Sequence, residues 1–288
     1  MSLDNLRTGF LEHLEKKGRS QSTLIAYSKD IQQLSEFVAN GKPEFDIKNL
    51  NAQTLQKYVD NLKQNGDYTL KTVSRKINSL KTFCKYLLDQ RLIVSDVSLS
   101  IAHPEFKPQP PRTLSPLEYR ALRDTARSNL RLYTMVELLL QTGLRIGELS
   151  RLKVADVDLK AGIMNISEFS SNAARTVELN EMARLALQSY MALSKTKTDD
   201  FLFTTRNGHA VLIRNIRTAV HRTFKKAGIK GATVNDIRNT FIVFQLENGL
   251  KIEKLAETVG HQKPTTTEKY LQLVSRRSKK TVLKIVPL

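Results

Sequence analysis

Four residues able to do chemistry stand in apolar surroundings. Arg145 sits in Thr142-Gly-Leu-Arg-Ile-Gly-Glu-Leu149, just after a strongly apolar stretch. Arg238 is flanked by Ile237, Phe241 and Phe244, His261 follows a glycine in Val259-Gly-His-Gln262, and Tyr270 closes Thr265-Thr-Thr-Glu-Lys-Tyr270. An arginine fork holds an oxyanion and keeps its charge. An imidazole moves protons near neutral pH, and a phenol is a potential nucleophile. Each residue also has an ordinary structural reading. Arginines at helix ends satisfy carbonyls, a Gly-His pair makes a turn, and a tyrosine at helical spacing with Thr266 and Leu273 packs an amphipathic face. The four gain meaning jointly, separated by 93, 23 and 9 residues.

Other chemistries lack their signatures. The chain has no GxxxxGK[ST] loop, no GxGxxG, no HExxH and no GxSxG. The five histidines (13, 103, 209, 221, 261) lack metal-ligand spacing, and Asp199-Asp200 reads as a solvated turn. No cofactor and no metal are expected. A single cysteine, Cys84, excludes a disulfide framework. The 46 Lys+Arg against 28 Asp+Glu give a net charge of +18 over 288 residues, which favours a polyanionic partner, nucleic acid first. No apolar run approaches the ~20 residues that span a bilayer. The N-terminus carries Asp4 and no continuous apolar segment, so a cytoplasmic chain without a membrane partner is expected.

The elements that must position these residues fall into two groups. Leu3, Leu6, Phe10 and Leu14 repeat at helical spacing until Gly18. Ser20 or Ser22 caps a second helix with Leu24, Tyr27, Ile31, Leu34 and Phe37 on one face, closed by Gly41 and Pro43. A third helix covers Ala52 to Lys63 and a fourth Leu70 to Leu92, together a small all-α domain over 1–102. Residues 103–114 form a linker: five of the eight prolines lie between His103 and Pro116. Split after Arg112, the charge is +5 before (17 minus 12) and +13 after (29 minus 16). Two basic domains on a semi-rigid tether suit a rod-like polyanion gripped from two sides. The second domain, 115–288, opens with the cap signature Ser115-Pro116 and Glu118. The apolar helix Leu130 to Gln141 reads as central, and Ile146 to Leu152 is another, shorter helix. Gly162 to Ser167 and Arg175 to Leu179 read as two strands around a polar turn. Helices resume over Asn180–Leu193, Leu212–Lys226, Asn235–Glu247, Lys251–Val259 and Thr265–Leu273. Arg276, Arg277, Lys279 and Lys280 begin a basic tail ending in Val282, Leu283, Ile285, Val286 and Leu288.

Order and spacing of the four residues resemble the tyrosine site-specific recombinases, the phage integrases and Xer-type resolvases. The TGLR-x-x-EL box appears as Thr142 to Leu149, the H-x-L-R box as Asn235-Asp-Ile-Arg238, the L-G-H box as Val259-Gly-His261, and the nucleophile box as Thr265 to Tyr270. The resemblance covers essentially the whole chain. It implies a mainly α fold with a small β-sheet, a SAM-like core-binding domain and a mixed α/β catalytic domain. It further implies that Tyr270 attacks a DNA phosphodiester to give a 3′-phosphotyrosine and a free 5′-hydroxyl, without ATP. Arg145 and Arg238 would hold the phosphate, His261 would bond it or assist proton transfer, and Glu148 would orient Arg145 or cap its neighbour.

Two positions depart from the pattern. The family's hairpin lysine, proton donor to the leaving 5′-oxygen, aligns with Phe169 or Ser170. No lysine lies between Lys160 and Lys195, and Arg175 is a poor proton donor. The first histidine of the H-x-L-R box is Asn235, which hydrogen-bonds but does not titrate. A slow recombinase, one needing a partner, and a recombinase-like DNA-binding accessory protein all remain open. An unrelated helical enzyme on an acidic small molecule is disfavoured by the missing cofactor loop. Candidate contacts to double-stranded DNA are Lys71, Arg75, Lys76 and Lys81 on one helix, with Lys85 beside them, and Arg214, Arg217 and Arg222 on another, with Lys225 and Lys226. The resemblance also implies a homo-oligomer, a tetramer on two DNA sites, in which the apolar tail docks on a neighbouring protomer; the alternative is that the tail folds back on its own domain.

Overall fold

A computed structural model describes residues 3–39, 47, 50–107, 109–168, 173–194, 197–274 and 285–288. The chain divides into two compact units, Met1–Pro108 and Gln109–Leu288.

The first unit holds helices α1 (Leu3–Lys16), α2 (Gln21–Ala39), α3 (Ala52–Gln64) and α4 (Leu70–Asp89). Asn51 and Thr69 start α3 and α4, their side chains accepting from the amides three residues on. The apolar stripes meet as their spacing requires: Leu6, Phe10, Leu14, Ile31, Leu34, Val59, Ile77, Leu80 and Phe83 are buried in one core. Helix α4 stops three residues short of the expected Leu92, and Arg91 just beyond it takes a left-handed φ of 56°.

That core also holds a charge. Asp30 on α2 is buried, with Lys76 Nζ donating to it at 2.9 Å and both terminal nitrogens of Arg75 at 2.6 and 2.9 Å. Lys76 also bonds Gln33 and lies 4.7 Å from the centre of the Tyr68 ring. This corrects the expectation of a DNA contact: Lys76 is 4% exposed. The reason is its register, since Lys76 shares the apolar face of Val73, Ile77 and Leu80 rather than the solvent face of Lys71. Removing one member of a buried ion pair strands the other, so Asp30→Ala is expected to cost about 3–5 kcal/mol in urea unfolding. Adding Lys76→Met to that variant recovers most of the loss. A cost below about 1 kcal/mol for Asp30→Ala alone, the range of exposed pairs, would show the pair to be energetically idle.

The second unit opens with α5 (Pro116–Ala126), capped reciprocally by Ser115 and Glu118 as its sequence requires. Helix α6 (Leu130–Thr142) is buried along nearly its whole length and ends at Gly143. There φ is +62°, and a Cβ would come within 2.4 Å of the Phe241 ring, so only glycine fits. Next come α7 (Ile146–Arg151), a single 3-10 turn at Val154–Asp156, and an antiparallel sheet ordered β1 (Val157–Asp158), β2 (Ile163–Ile166), β3 (Arg175–Glu178). Met164 faces Val177 and Ile166 faces Arg175. Strand β1 has no counterpart in the hydropathy pattern, because two residues carry no alternation to read. Then follow α8 (Glu181–Leu193), α9 (Ile213–Lys226), α10 (Val234–Glu247), α11 (Ile252–Val259) and α12 (Pro264–Glu268), with a 3-10 turn at Leu271–Leu273. The helical stretch expected over Thr265–Leu273 is therefore broken, and Tyr270 lies at the break.

Of the expected tail, residues 276, 277, 279, 280, 282 and 283 lie outside the described residues. Ile285–Leu288 fold back on their own unit. Gln245 pairs both ways with the Val286 backbone at 2.7 and 3.0 Å. Gln141 pairs both ways with Leu288, each bond 2.9 Å, while Arg123 donates to the Leu288 carbonyl at 2.7 Å. Two inward glutamines thus satisfy the backbone of these residues within the single chain.

Candidate active site

The site is built around the C-terminal end of α11, whose last carbonyls carry the negative pole of a helix. Arg145 follows the Gly143 turn at the start of α7 and donates to Val259 O at 3.2 Å and Gly260 O at 2.8 Å. Arg238, on α10 and buried, donates to the same Val259 carbonyl at 2.7 Å and to Gly143 O at 2.5 Å. Arg175 at the head of β3 donates from Nε to Thr258 O at 2.8 Å. Gly260, at φ +67°, leaves room for it, since a Cβ there would meet Arg175 Nη1 at 2.9 Å.

Three guanidinium groups thus gather around one carboxylate. Glu148 accepts Arg175 bidentately at 2.8 and 2.8 Å, Arg145 Nη1 at 3.1 Å, and the Arg145 backbone N–H at 2.8 Å. It therefore both caps α7 and orients Arg145. Burial pushes the Glu148 carboxyl up, but the Arg175 hydrogen bonds and charge, with help from Arg145, outweigh this and hold it below the usual range. Three positive charges against one leave the cluster at +2. Burial, then the charges of Arg145 and Arg175, draw the Arg238 guanidinium down to about 9. An anion between the arginines would relieve that strain.

His261 follows Gly260, with Nδ1 2.8 Å from the hydroxyl of fully buried Thr267. Burial first, then Arg238, Arg145 and Arg175, lower its pKa to about 4, so the ring is neutral at physiological pH. Its ring lies parallel to that of Tyr270 at 6.3 Å. Burial raises the Tyr270 phenol while Arg238 and Arg145 pull it down, for a net rise. Its hydroxyl donates to Asn239 Oδ1 at 2.8 Å.

The His261 value has a stability consequence. Between pH 6.5 and about 4 the unfolded ring is protonated and the folded ring is not, so stability falls as pH falls through that window. Because the ring keeps partial solvent contact, the loss is on the order of 1 kcal/mol. Denaturant unfolding at pH 7 and pH 4.5 is expected to show this excess loss in the wild type and not in His261→Gln. Equal losses in both would assign it to other groups.

The fold therefore brings together Arg145, Arg238, His261 and Tyr270. Asn235 is exposed in the first turn of α10, one turn before Arg238, and lines a cleft of about 240 Å³ with Ile146, Arg217 and His221. Phe169 and Ser170 lie outside the described residues, in the connection between β2 and β3. Lys71 and Arg75 are exposed on α4, and Lys81 lines a groove of about 340 Å³ with His13, Lys17, Arg19 and Lys85. Arg214, Arg217 and Arg222 are exposed on α9. Among the described residues no group of three or more metal-ligating side chains occurs, and no helix is long and apolar enough to cross a membrane. Two residues at the site carry no sequence signal for their roles. Asn239 reads as one more polar helix residue, and the partners of Arg175 are 27 and 83 residues away.

The model of the phage integrase family matches residues 112–277. The chain belongs to the phage integrase family, the tyrosine recombinases. The family's N-terminal SAM-like domain matches residues 8–91. Among curated relatives, this integrase is 25% identical over 277 residues to the tyrosine recombinase XerD of Halalkalibacterium halodurans, covering 92% of each chain. It is 27% identical over 296 residues to XerC of Leptospira interrogans serovar copenhageni, covering 99% of this chain and 94% of that one. Among solved structures, XerA recombinase is 28% identical with a TM-score of 0.52, covering 93% of each chain. The Tn1549 transposon integrase in complex with transposon right end DNA superposes at TM-score 0.78 and 19% identity, covering 94% of each. A lambda integrase tetramer bound to a Holliday junction superposes at 0.77 and 14% identity, covering 99% of this integrase and 80% of that chain. At these lower identities the likeness is one of fold.

Proposed function

We propose that this integrase is a site-specific recombinase that cleaves and rejoins duplex DNA through Tyr270. The observation that carries the reading is the half-buried Tyr270 phenol beside a +2 arginine cluster in need of an anion. The phenol oxygen attacks phosphorus, the P–O5′ bond breaks, and a 3′-phosphotyrosine and a 5′-hydroxyl result. The phosphodiester bond energy is kept, so attack by the partner strand's 5′-hydroxyl reverses the step without ATP. Arg145 and Arg238 have N–H donors beyond those spent on α11, five per fork, for the non-bridging oxygens. With Nδ1 on Thr267, His261 presents Nε2 to the phosphate, and Asn235 adds a hydrogen bond from the entrance of α10.

Residues 1–102 and 115–288, joined by the segment 103–114, each contact DNA, with Lys71, Arg75, Lys81, Arg214, Arg217 and Arg222 on its phosphates. The working assembly is a homotetramer on two DNA sites in the cytoplasm, formed when the apolar C-terminal residues leave Gln141 and Gln245 for a neighbouring protomer. A second reading, a binding protein of low cleavage activity, is favoured by the absence of a lysine between Lys160 and Lys195. To decide, duplexes selected for binding from a randomised pool are nicked to trap the intermediate, and the adduct is digested and mapped. A phosphotyrosyl peptide carrying Tyr270 is expected. Tight binding with no adduct would leave only the second reading.

A further inference from the structure

Tyr270 stands in a weakly structured stretch, between the five-residue α12 and a single 3-10 turn. Such a segment does not hold a hydroxyl in place by itself; a rigid neighbour must. Helix α10 supplies one. The Tyr270 hydroxyl donates to Asn239 Oδ1 at 2.8 Å, and the Asn239 amide is itself tied at its other end. Its Nδ2 donates to the Arg112 carbonyl at 3.0 Å and, more weakly, to Asp236 Oδ1 at 3.4 Å. With acceptors for both amide hydrogens, the oxygen is the end that faces the phenol. Arg112 is braced in turn, donating to Lys230 O at 2.6 Å and to Glu118 at 2.7 Å. Two residues on, the Leu114 N–H donates to Thr240 Oγ1 at 2.7 Å. The residues that follow the proline-rich segment are thus strapped to α10 beside the residue that holds the nucleophile.

We propose that Asn239 is the positioning residue for the Tyr270 hydroxyl, its amide locked in orientation by the Arg112 carbonyl; the proposal rests on the cleavage reading above. An amide oxygen is not a base, so Asn239 does not take the phenol proton. It keeps the phenol aimed at the site, while burial raises its pKa. Arg238, one residue before Asn239 on the same helix, is fixed by the same backbone, so nucleophile and phosphate ligand share one rigid frame.

The test uses the full chain with tyrosines labelled at 13Cζ, Tyr270 being assigned by its loss in Tyr270→Phe. Asn239→Leu keeps volume and removes the acceptor. Taking away an acceptor that favours the neutral phenol is expected to lower the pH at which Tyr270 titrates. Single-turnover adduct formation is expected to slow about tenfold with noncovalent DNA affinity unchanged. If the leucine does not fold, Asn239→Ala is read in the same way. An unchanged titration overturns the proposal, and so does an unchanged cleavage rate. If the wild type forms no adduct, the cleavage reading fails separately, and the titration alone upholds or overturns the Asn239 contact.

Discussion

In Tyr270→Phe, every covalent protein–DNA adduct is expected to disappear while noncovalent affinity stays within about twofold of the wild type, because phosphate contacts by other residues carry binding. The substitution deletes one oxygen. The ring keeps its place against the Phe241–Leu246 cluster and parallel to His261. The folded state loses the hydrogen bond to Asn239, worth about 1 kcal/mol, so the variant should melt close to the wild type. What disappears is the nucleophile, and neither arginine nor His261 replaces it as the source of a stable phosphate ester. Adduct yield on nicked duplexes, read by denaturing gel beside a binding titration, separates the two effects. An adduct that survives the substitution would place the nucleophile on another residue and sink the assignment of Tyr270. Loss of binding together with the adduct would mean that the hydroxyl holds DNA rather than attacks it.

Ser170→Lys is expected to act in the opposite direction, raising the cleavage rate by roughly 10²–10⁴-fold, the usual range for general acid assistance. The leaving 5′-oxygen needs a proton, and among the described residues the two groups nearest that task are otherwise engaged. His261 is neutral and faces Thr267 through one nitrogen. Arg175, the cation at the head of β3, is committed bidentately to Glu148 and to Thr258, with a side chain 6% exposed. In the family this sequence resembles, a hairpin lysine does that work, and the order of the motifs aligns its expected position with Phe169 or Ser170. A lysine has an unperturbed pKa of about 10.4, so it supplies a protonated donor at neutral pH, and the gain is expected there. Ser170→Met, equally long and uncharged, should show none of it. If neither Ser170→Lys nor Phe169→Lys changes the rate, the hairpin alignment is wrong.

The departures from the recombinase pattern thus fall on proton management and not on the phosphate clamp. Glu148 holds Arg145 and Arg175, and Arg145, Arg175 and Arg238 all donate to the end of α11, in bonds that leave the cluster short of negative charge. Such a site is expected to bind a phosphate whether or not it cleaves quickly. That is why the adduct assay, and not affinity, discriminates a recombinase from a binding protein on the same scaffold.

Much of the molecule is legible along the chain. Repeats of Leu6, Phe10 and Leu14, or of Val73, Ile77 and Leu80, report helices because a helix returns to one face every three or four residues. Ser115, Pro116 and Glu118 report a helix start because their bonds close within one turn. The order and spacing of Arg145, Arg238, His261 and Tyr270 resemble a family pattern, which names them as the candidate reactive residues. Other features depend on partners distant in sequence. Lys76 reads as one more DNA-facing cation, yet Asp30, 46 residues earlier, claims it inside the core. Glu148 meets Arg175 across 27 residues, and Asn239 joins Tyr270 to Arg112 across 31 and 127. Local periodicity and capping depend on neighbours within a turn, so the sequence by itself determined most of the helices, and it named the candidate residues Arg145, Arg238, His261 and Tyr270. Which charges are spent on each other, and which stay exposed, depends on groups brought together only by folding, and that the tertiary structure alone decided.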